Sequence, residues 1–318
     1  MAIQFLILAA GLLLILLGAN YLVEGSSGIA RKFGISEFVI GLTIVGIGTS
    51  TPEMVVSFIS SLNGNADMAI GNIVGSNIFN TLLILGTTAL ISPLIITQSN
   101  KKRDIPMNII VTVLLVVLGM KKNIFGLGEN SLTRVDGAVL LVLFAWYLYS
   151  SFKYSSKTDD EQESVNVKPV WLSSIMILGG LAALIFGGRI FVSSATELAR
   201  IFGVSDKFIA ITIMAGGTSM PELATCVVAA LKGKGQLALG NILGSNISNI
   251  LLILGGSALI NPLSFKGMTM VDLGVLLGSS LFILLSAYMF RKDKLDRIEG
   301  GILLIAEIAY MWYLIVNL

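Results

Sequence analysis

Two glutamates carry the strongest chemical signal in this 318-residue sequence. Glu53 and Glu222 close the segments GTSTPE (48–53) and GTSMPE (217–222), each in the middle of a long apolar run. An acidic side chain at the centre of a membrane helix costs roughly 2.5–3.5 kcal/mol, so two at matching places call for a cationic counterpart. The same segments supply the hydroxyls of Thr49, Ser50, Thr218 and Ser219. Carboxylate, hydroxyl and free carbonyl oxygens are hard ligands, suited to Na⁺ and Ca²⁺ rather than to soft metals. Two carboxylates neutralise one Ca²⁺ or two Na⁺, and a site filled by one species or the other but never both is the site of an exchanger. The plain alternative, an acid favoured in the first turn of a helix by the dipole, would serve in water. It does not explain two such acids in a bilayer.

A second pair of motifs follows each glutamate, GNIVGSNIFN (71–80) and GNILGSNISN (240–249). At helical spacing Asn72, Ser76 and Asn80 share one face, as do Asn241, Ser245 and Asn249, so each run carries a polar stripe. Asn77 and Asn246 add further amides. These side chains read either as cation ligands or as interhelical hydrogen-bonding glue. The glue reading weighs more for Asn72, Asn77, Asn241 and Asn246 than for the other four. Gly71 and Gly75, like Gly240 and Gly244, form the small-xxx-small pattern that lets helices approach closely.

The elements that must hold these residues are membrane helices. The chain is 55% apolar and 13% charged, with a mean hydropathy of +0.88, which no soluble domain of ordinary composition matches. Apolar runs long enough to cross a hydrocarbon core recur at 3–23, 38–62, 67–91, 105–120, 132–152, 171–193, 207–231, 236–261, 270–290 and 299–317. That predicts ten spans, the fourth being the shortest. The first, without a basic n-region or a small-residue cleavage site, reads as a span and not as a signal peptide. Within the second run, Gly46 and Gly48 followed by Thr49, Ser50, Thr51 and Pro52 predict a helix that ends and restarts at mid-membrane. Thr51 is its expected N-cap and Pro52 its first residue. Most of the 21 Lys and Arg fall in loops after odd-numbered spans, so the positive-inside rule places both termini outside the cell membrane. The net charge of +2 gives no reason for a nucleic-acid partner. One cysteine, Cys226, and no histidine leave no internal disulfide and no Cys- or His-based metal site.

The chain repeats itself. Shifted by 169 residues, 41–94 aligns with 210–263 without a gap, and about half the positions are identical. Each copy holds five spans, an odd number, so the second must enter the bilayer from the opposite side. The expected fold is therefore an all-α membrane protein of ten transmembrane helices. Two inverted five-helix repeats, 1–152 and 171–318, are joined by a polar linker at 153–170, and the helices of spans 2 and 7 are broken.

The paired GTS-x-PE and GN-x-x-GSN-x-x-N segments resemble the two alpha-repeats of the sodium/calcium exchanger family, within the calcium/cation antiporter superfamily. In size the chain is similar to the compact prokaryotic members. The resemblance implies four ion sites at the centre of the ten-span fold, opened alternately to either side, with no cofactor. It also implies exchange of three Na⁺ for one Ca²⁺. Carried over by motif position, the implied ligands are Thr49, Ser50, Glu53, Ser76 and Asn80, with Thr218, Ser219, Glu222, Ser245 and Asn249. Carbonyls near Gly46 and Ala215 would contribute to the Na⁺ sites, and spans one and six would slide as gates. Some branches hold an acid at one of the positions occupied here by Asn80 and Asn249, tied in one branch to potassium, so two asparagines imply potassium independence. The linker has no room for the large calcium-sensing insert of the animal members.

Three other functions could use such residues. A proton-coupled exchanger of the same superfamily would use Glu53 and Glu222 as proton carriers, and the sequence leaves this open, the GTS hydroxyls favouring sodium only weakly. A passive channel fits an inverted repeat with broken helices poorly. A membrane enzyme would need a nucleophile–base pair that is missing here. The expected partners are the lipid bilayer, Na⁺ and Ca²⁺. A functional monomer is expected, because one chain holds both halves of the site.

Overall fold

The computed structural model describes residues 2–126, 128–154, 168–204, 215–289 and 293–317. Most of the linker and the first third of the seventh expected span, 207–214, lie outside the described residues. In a lipid environment each backbone N–H and C=O must be paired within the chain, and the long apolar runs accordingly become helices. In chain order these are α1 (Ala2–Phe33), α2 (Glu37–Thr49), α3 (Thr51–Leu62), α4 (Ala66–Ile91), α5 (Ile105–Gly119), α6 (Arg134–Lys153) and α7 (Val170–Ile201). There follow α8 (Ala215–Gly217), α9 (Met220–Leu231), α10 (Gly235–Ile260), α11 (Met270–Met289) and α12 (Arg297–Val316). Among the described residues seven helices are long and apolar enough to cross a membrane, or eight when the bent pair α2–α3 is taken as one span. The protein is an all-α membrane protein, with two short β pairings among the described residues.

Helices α1 and α7 outrun the spans expected at 3–23 and 171–193. In α1 the acid that marked the expected edge, Glu24, is answered by Lys168 and Lys232 at 2.7 and 2.8 Å, so its charge does not end the helix. What ends it is Gly34 at φ 64°, where Gly34 N bonds Arg31 O and Ile35 N bonds Ala30 O. This Schellman closure recurs at Gly203, 169 residues on, and ends α7.

The two long helices run antiparallel against each other along a glycine seam. A Cβ on Gly11, Gly18 or Gly25 would meet, respectively, Phe191 N at 2.8 Å, Gly180 O at 2.8 Å and Ser173 O at 2.7 Å. Backbone therefore touches backbone at intervals of seven residues, close packing that lipid-phase helices use in place of a hydrophobic drive. The outer faces carry exposed Leu6, Leu13, Ile175, Leu178, Ile305 and Ile308, as a lipid-facing surface requires.

At the centre lies α10, in which every residue from Leu237 to Leu251 is buried. Gly240 and Gly244 pack directly on the backbone of Phe38 and Leu42. The equivalent neighbours of Gly71 and Gly75 on α4, 207 and 211, lie outside the described residues. Two antiparallel pairings tie the halves of the chain together. β1 (Leu94–Ile95) pairs with β4 (Lys294–Leu295), and β2 (Ser131–Leu132) with β3 (Leu263–Ser264). Within α4 and α10 a π-helical turn begins at Asn80 and at Asn249 respectively, the kind of bulge that marks functional positions in helices.

Candidate ion-binding site

The first break is sharp: α2 ends at Thr49, α3 starts at Thr51, and the two are bent by 49°. The cap differs from the sequence expectation. Ser50, not Thr51, is the N-cap residue, and neither residue caps the helix through its side chain. The Thr51 hydroxyl instead donates to Gly48 O at 2.7 Å. The cause is Pro52, which lacks the N–H that would serve Gly48 O one turn on, and the threonine fills that gap. A second break follows α8, where Thr218 and Ser219 form a turn before α9.

These breaks place the two glutamates within reach of the opposite half. Glu53 is fully buried and Glu222 nearly so. Ser50 Oγ donates to Glu222 Oε1 at 3.0 Å, and Ser219 Oγ donates to Glu53 Oε1 at 3.0 Å. Ser76 Oγ lies 3.4 Å from Glu53 Oε1 and 3.2 Å from Ser219 Oγ. Thr218 sits against Glu53 and Thr49 against Glu222. The Gly46 carbonyl accepts from Thr49 Oγ1 at 3.4 Å and from Ser245 Oγ at 3.1 Å. Ser50, Ser76, Ser219, Thr49 and Thr218 are thus gathered around the two carboxylates, and Ser245 meets Thr49 at the Gly46 carbonyl. For Ala215 the backbone alone is described, in α8.

Four oxygens here are buried and have no hydrogen-bond partner among the described residues: Glu53 Oε2, Glu222 Oε2, Asn80 Oδ1 and Asn249 Oδ1. They form two pairs related by the 169-residue shift, all acceptors. A buried acceptor with nothing to accept is costly, and more so when it is charged. Among the described residues no Lys or Arg pairs with either glutamate. Nor do three or more His, Cys, Asp or Glu gather anywhere among them as a transition-metal site would require. The donor set is one of hard oxygens with a net charge that only cations or protons can balance.

The second-rank asparagines divide. Asn72 Nδ2 donates to Glu53 O at 3.1 Å and to Ser57 Oγ at 3.0 Å, bracing α4 on α3. Asn241 on α10 reaches both halves, giving Nδ2 to Cys226 Sγ of α9 at 3.2 Å and accepting from Thr49 Oγ1 of α2 at 3.2 Å. Ser57 and Cys226 are related by the repeat, and neither was singled out for this role from sequence. Asn77 and Asn246 lie between α4 and α10, among the free oxygens. Thr81, also missed, accepts Asn246 Nδ2 at 2.9 Å; its place next to Asn80 was the available signal. Among the other membrane acids, Asp136 caps α6 through Thr133 and pairs with Lys121 at 2.9 Å. Asp272 accepts Tyr310 Oη at 2.8 Å. Glu307 is buried, with Oε2 unpartnered among the described residues.

Comparison with known proteins gives the family. The sequence pattern of the family described as sodium/calcium exchanger protein matches residues 3–153 and 172–316. The chain is 37% identical to the putative antiporter CaxA of Alkalimonas amylolytica over 99% of both chains. It is 34% identical to the sodium/calcium exchanger MaX1 of Methanosarcina acetivorans over 97% of both. Among solved structures, the sodium-calcium exchanger NCX_Mj soaked with zero Na⁺ and Ca²⁺ superposes with a TM-score of 0.84 at 34% identity, covering 98% of each chain. This multi-pass membrane protein is a transporter and not an enzyme, and it belongs to the sodium/calcium exchanger family.

Proposed function

We propose that the protein exchanges Na⁺ for Ca²⁺ across the cell membrane by alternating access. The observation that carries this reading is the set of four buried oxygens unpartnered among the described residues, two of them on carboxylates that no cation among those residues neutralises. Ca²⁺ takes six to eight oxygen ligands, and Glu53, Glu222, Asn80 and Asn249 supply a neutralising core for it. The hydroxyls of Ser50, Ser219, Ser76, Thr49, Thr218 and Ser245, with the carbonyls of Gly46 and Ala215, supply the neutral oxygens that Na⁺ needs. The hydroxyls of Ser50 and Ser219 point their protons at the carboxylates, and rotation about the C–O bond would turn their lone pairs toward a bound cation. Two Na⁺ neutralise the glutamates as one Ca²⁺ does. A third Na⁺ would make the cycle electrogenic, three Na⁺ against one Ca²⁺, and Asn80 and Asn249 make it potassium-independent.

The alternation requires the halves 1–152 and 171–318 to be inverted five-span repeats joined by the 153–170 linker. The 169-residue shift that relates α3 to α9 and α4 to α10, and the exchanged pairing of β1–β4 and β2–β3, support that reading. So does the glycine seam of α1 and α7, smooth enough for one half to slide on the other. Ten crossings leave both termini on one side, the outside by the positive-inside rule, and a monomer suffices because both glutamates come from one chain.

The test is ⁴⁵Ca²⁺ uptake into proteoliposomes loaded with Na⁺ or with choline at equal pH, then repeated under an imposed pH gradient. Uptake driven by internal Na⁺ is the expected result. Uptake driven by the pH gradient and indifferent to Na⁺ would instead make Glu53 and Glu222 proton carriers.

A further inference from the structure

Asn80 and Asn249 can help bind a cation only if they present oxygen to it. An amide has two ends of nearly the same shape, one an acceptor and the other a double donor. Turned the wrong way, the side chain removes a ligand and aims N–H protons at the ion. Something has to decide the orientation, and the groups that do so here are outside the ligand set.

For Asn249 the orientation follows from a chain of bonds that begins on a group with no choice. Asn77 Nδ2 lies 3.1 Å from the backbone carbonyl of Asn246. A carbonyl can only accept, so this end of Asn77 must be the donor, and its Oδ1 is presented on the other side. Asn249 Nδ2 donates to that Oδ1 at 2.9 Å, which leaves Asn249 Oδ1 as one of the unpartnered oxygens of the site. A second bond, from Asn249 Nδ2 to Ser76 Oγ at 3.3 Å, favours the same orientation but depends on a hydroxyl that is itself a ligand. The Asn77 lock does not. On the other side, Asn80 Nδ2 donates to Asn246 Oδ1 at 3.2 Å, while Asn246 Nδ2 donates to Thr81 Oγ1 at 2.9 Å. Asn80 Oδ1 is left free in turn.

We propose that Asn77 is a positioning residue that fixes which end of the Asn249 amide faces the transported cation, and that Asn246, whose amide Thr81 accepts, holds the Asn80 amide in the matching orientation. This rests on the exchanger reading of the same site. It assigns Asn77 and Asn246 a task distinct from interhelical glue, because glue would be indifferent to which end of the ligand amide points inward.

A carboxylate separates the two roles, having an oxygen on both sides and needing no orientation. The experiment is equilibrium ⁴⁵Ca²⁺ binding to the purified full-length protein, measured for Asn77→Ala in the native background and in an Asn249→Asp background. The expected result is a loss of about tenfold in affinity in the native background and less than about twofold beside Asn249→Asp. An equal loss in both backgrounds, or no loss in the native one, overturns the proposal. If Asn77→Ala does not yield a monodisperse protein, Thr81→Val asks the same question with almost no change of shape. Its effect on affinity should vanish beside Asn80→Asp, and an effect that persists there overturns the proposal. A native protein that binds no Ca²⁺ at all would overturn the exchanger reading, and this inference with it.

Discussion

Ser50 gives its hydroxyl proton to Glu222 at 3.0 Å, and the symmetric bond, from Ser219 to Glu53, has the same length. Each glutamate is thus held by the opposite half of the chain, and the break in one half is tuned by the acid of the other. Hydrogen bonds to a charged group contribute about 1.5–3 kcal/mol. Ser50→Ala and Ser219→Ala should therefore each raise the Na⁺ concentration for half-maximal exchange by about ten- to a hundredfold. Initial rates of ⁴⁵Ca²⁺ uptake against internal Na⁺ would show it; an unchanged Na⁺ profile for both would remove these serines from the site.

Glu53→Ala or Glu222→Ala should abolish exchange while leaving a folded, membrane-inserted protein, since each removes an unpaired buried charge and no ion pair. Ca²⁺ at 100 times its Kd stabilises a one-site protein by about 2.7 kcal/mol. A thermal-shift assay should accordingly show a Ca²⁺-dependent rise in Tm for the native chain and none for either variant. Retained Ca²⁺ transport in either variant would sink the site assignment.

Asn249→Asp should be milder. It keeps an oxygen at the position and adds a titratable charge, so exchange should persist with new sensitivity to potassium or to pH. Uptake measured with and without K⁺, from pH 6 to 8, would show this. A profile identical to the native one would mean that position 249 does not tune selectivity.

Gly18→Val tests the seam of α1 and α7. The new Cβ would sit 2.8 Å from Gly180 O and 2.8 Å from Leu184 N, backbone atoms that cannot step aside. Overpacking of this kind costs about 1–3 kcal/mol. The expected outcome is a lowered Tm and a slowed maximal exchange rate with little change in the Ca²⁺ concentration for half-maximal uptake. A large change in that concentration with an unchanged rate would argue that the seam shapes the site and not the motion.

Much of this was legible in the sequence because membrane helices obey local rules. Apolar length, the 169-residue shift and the placement of Glu53 and Glu222 are properties of the chain read along its length, and the interior of a bilayer makes any exception to them expensive. Hence the acids, the hydroxyls beside them and the polar stripes of 71–80 and 240–249 stand out without coordinates. The lengths of α1 and α7 did not, because whether Glu24 ends a helix depends on Lys168 and Lys232, remote in sequence. The cap at the first break was misplaced because the stranded acceptor is created by Pro52 and filled by Thr51, a contest between neighbours that composition does not resolve. Which amide end faces the centre was beyond the sequence altogether. Asn77, Asn80, Asn246 and Asn249 are the same residue type, and what makes two of them hold the other two is the meeting of α4 with α10. There a backbone carbonyl that can only accept settles the direction of each bond that follows from it.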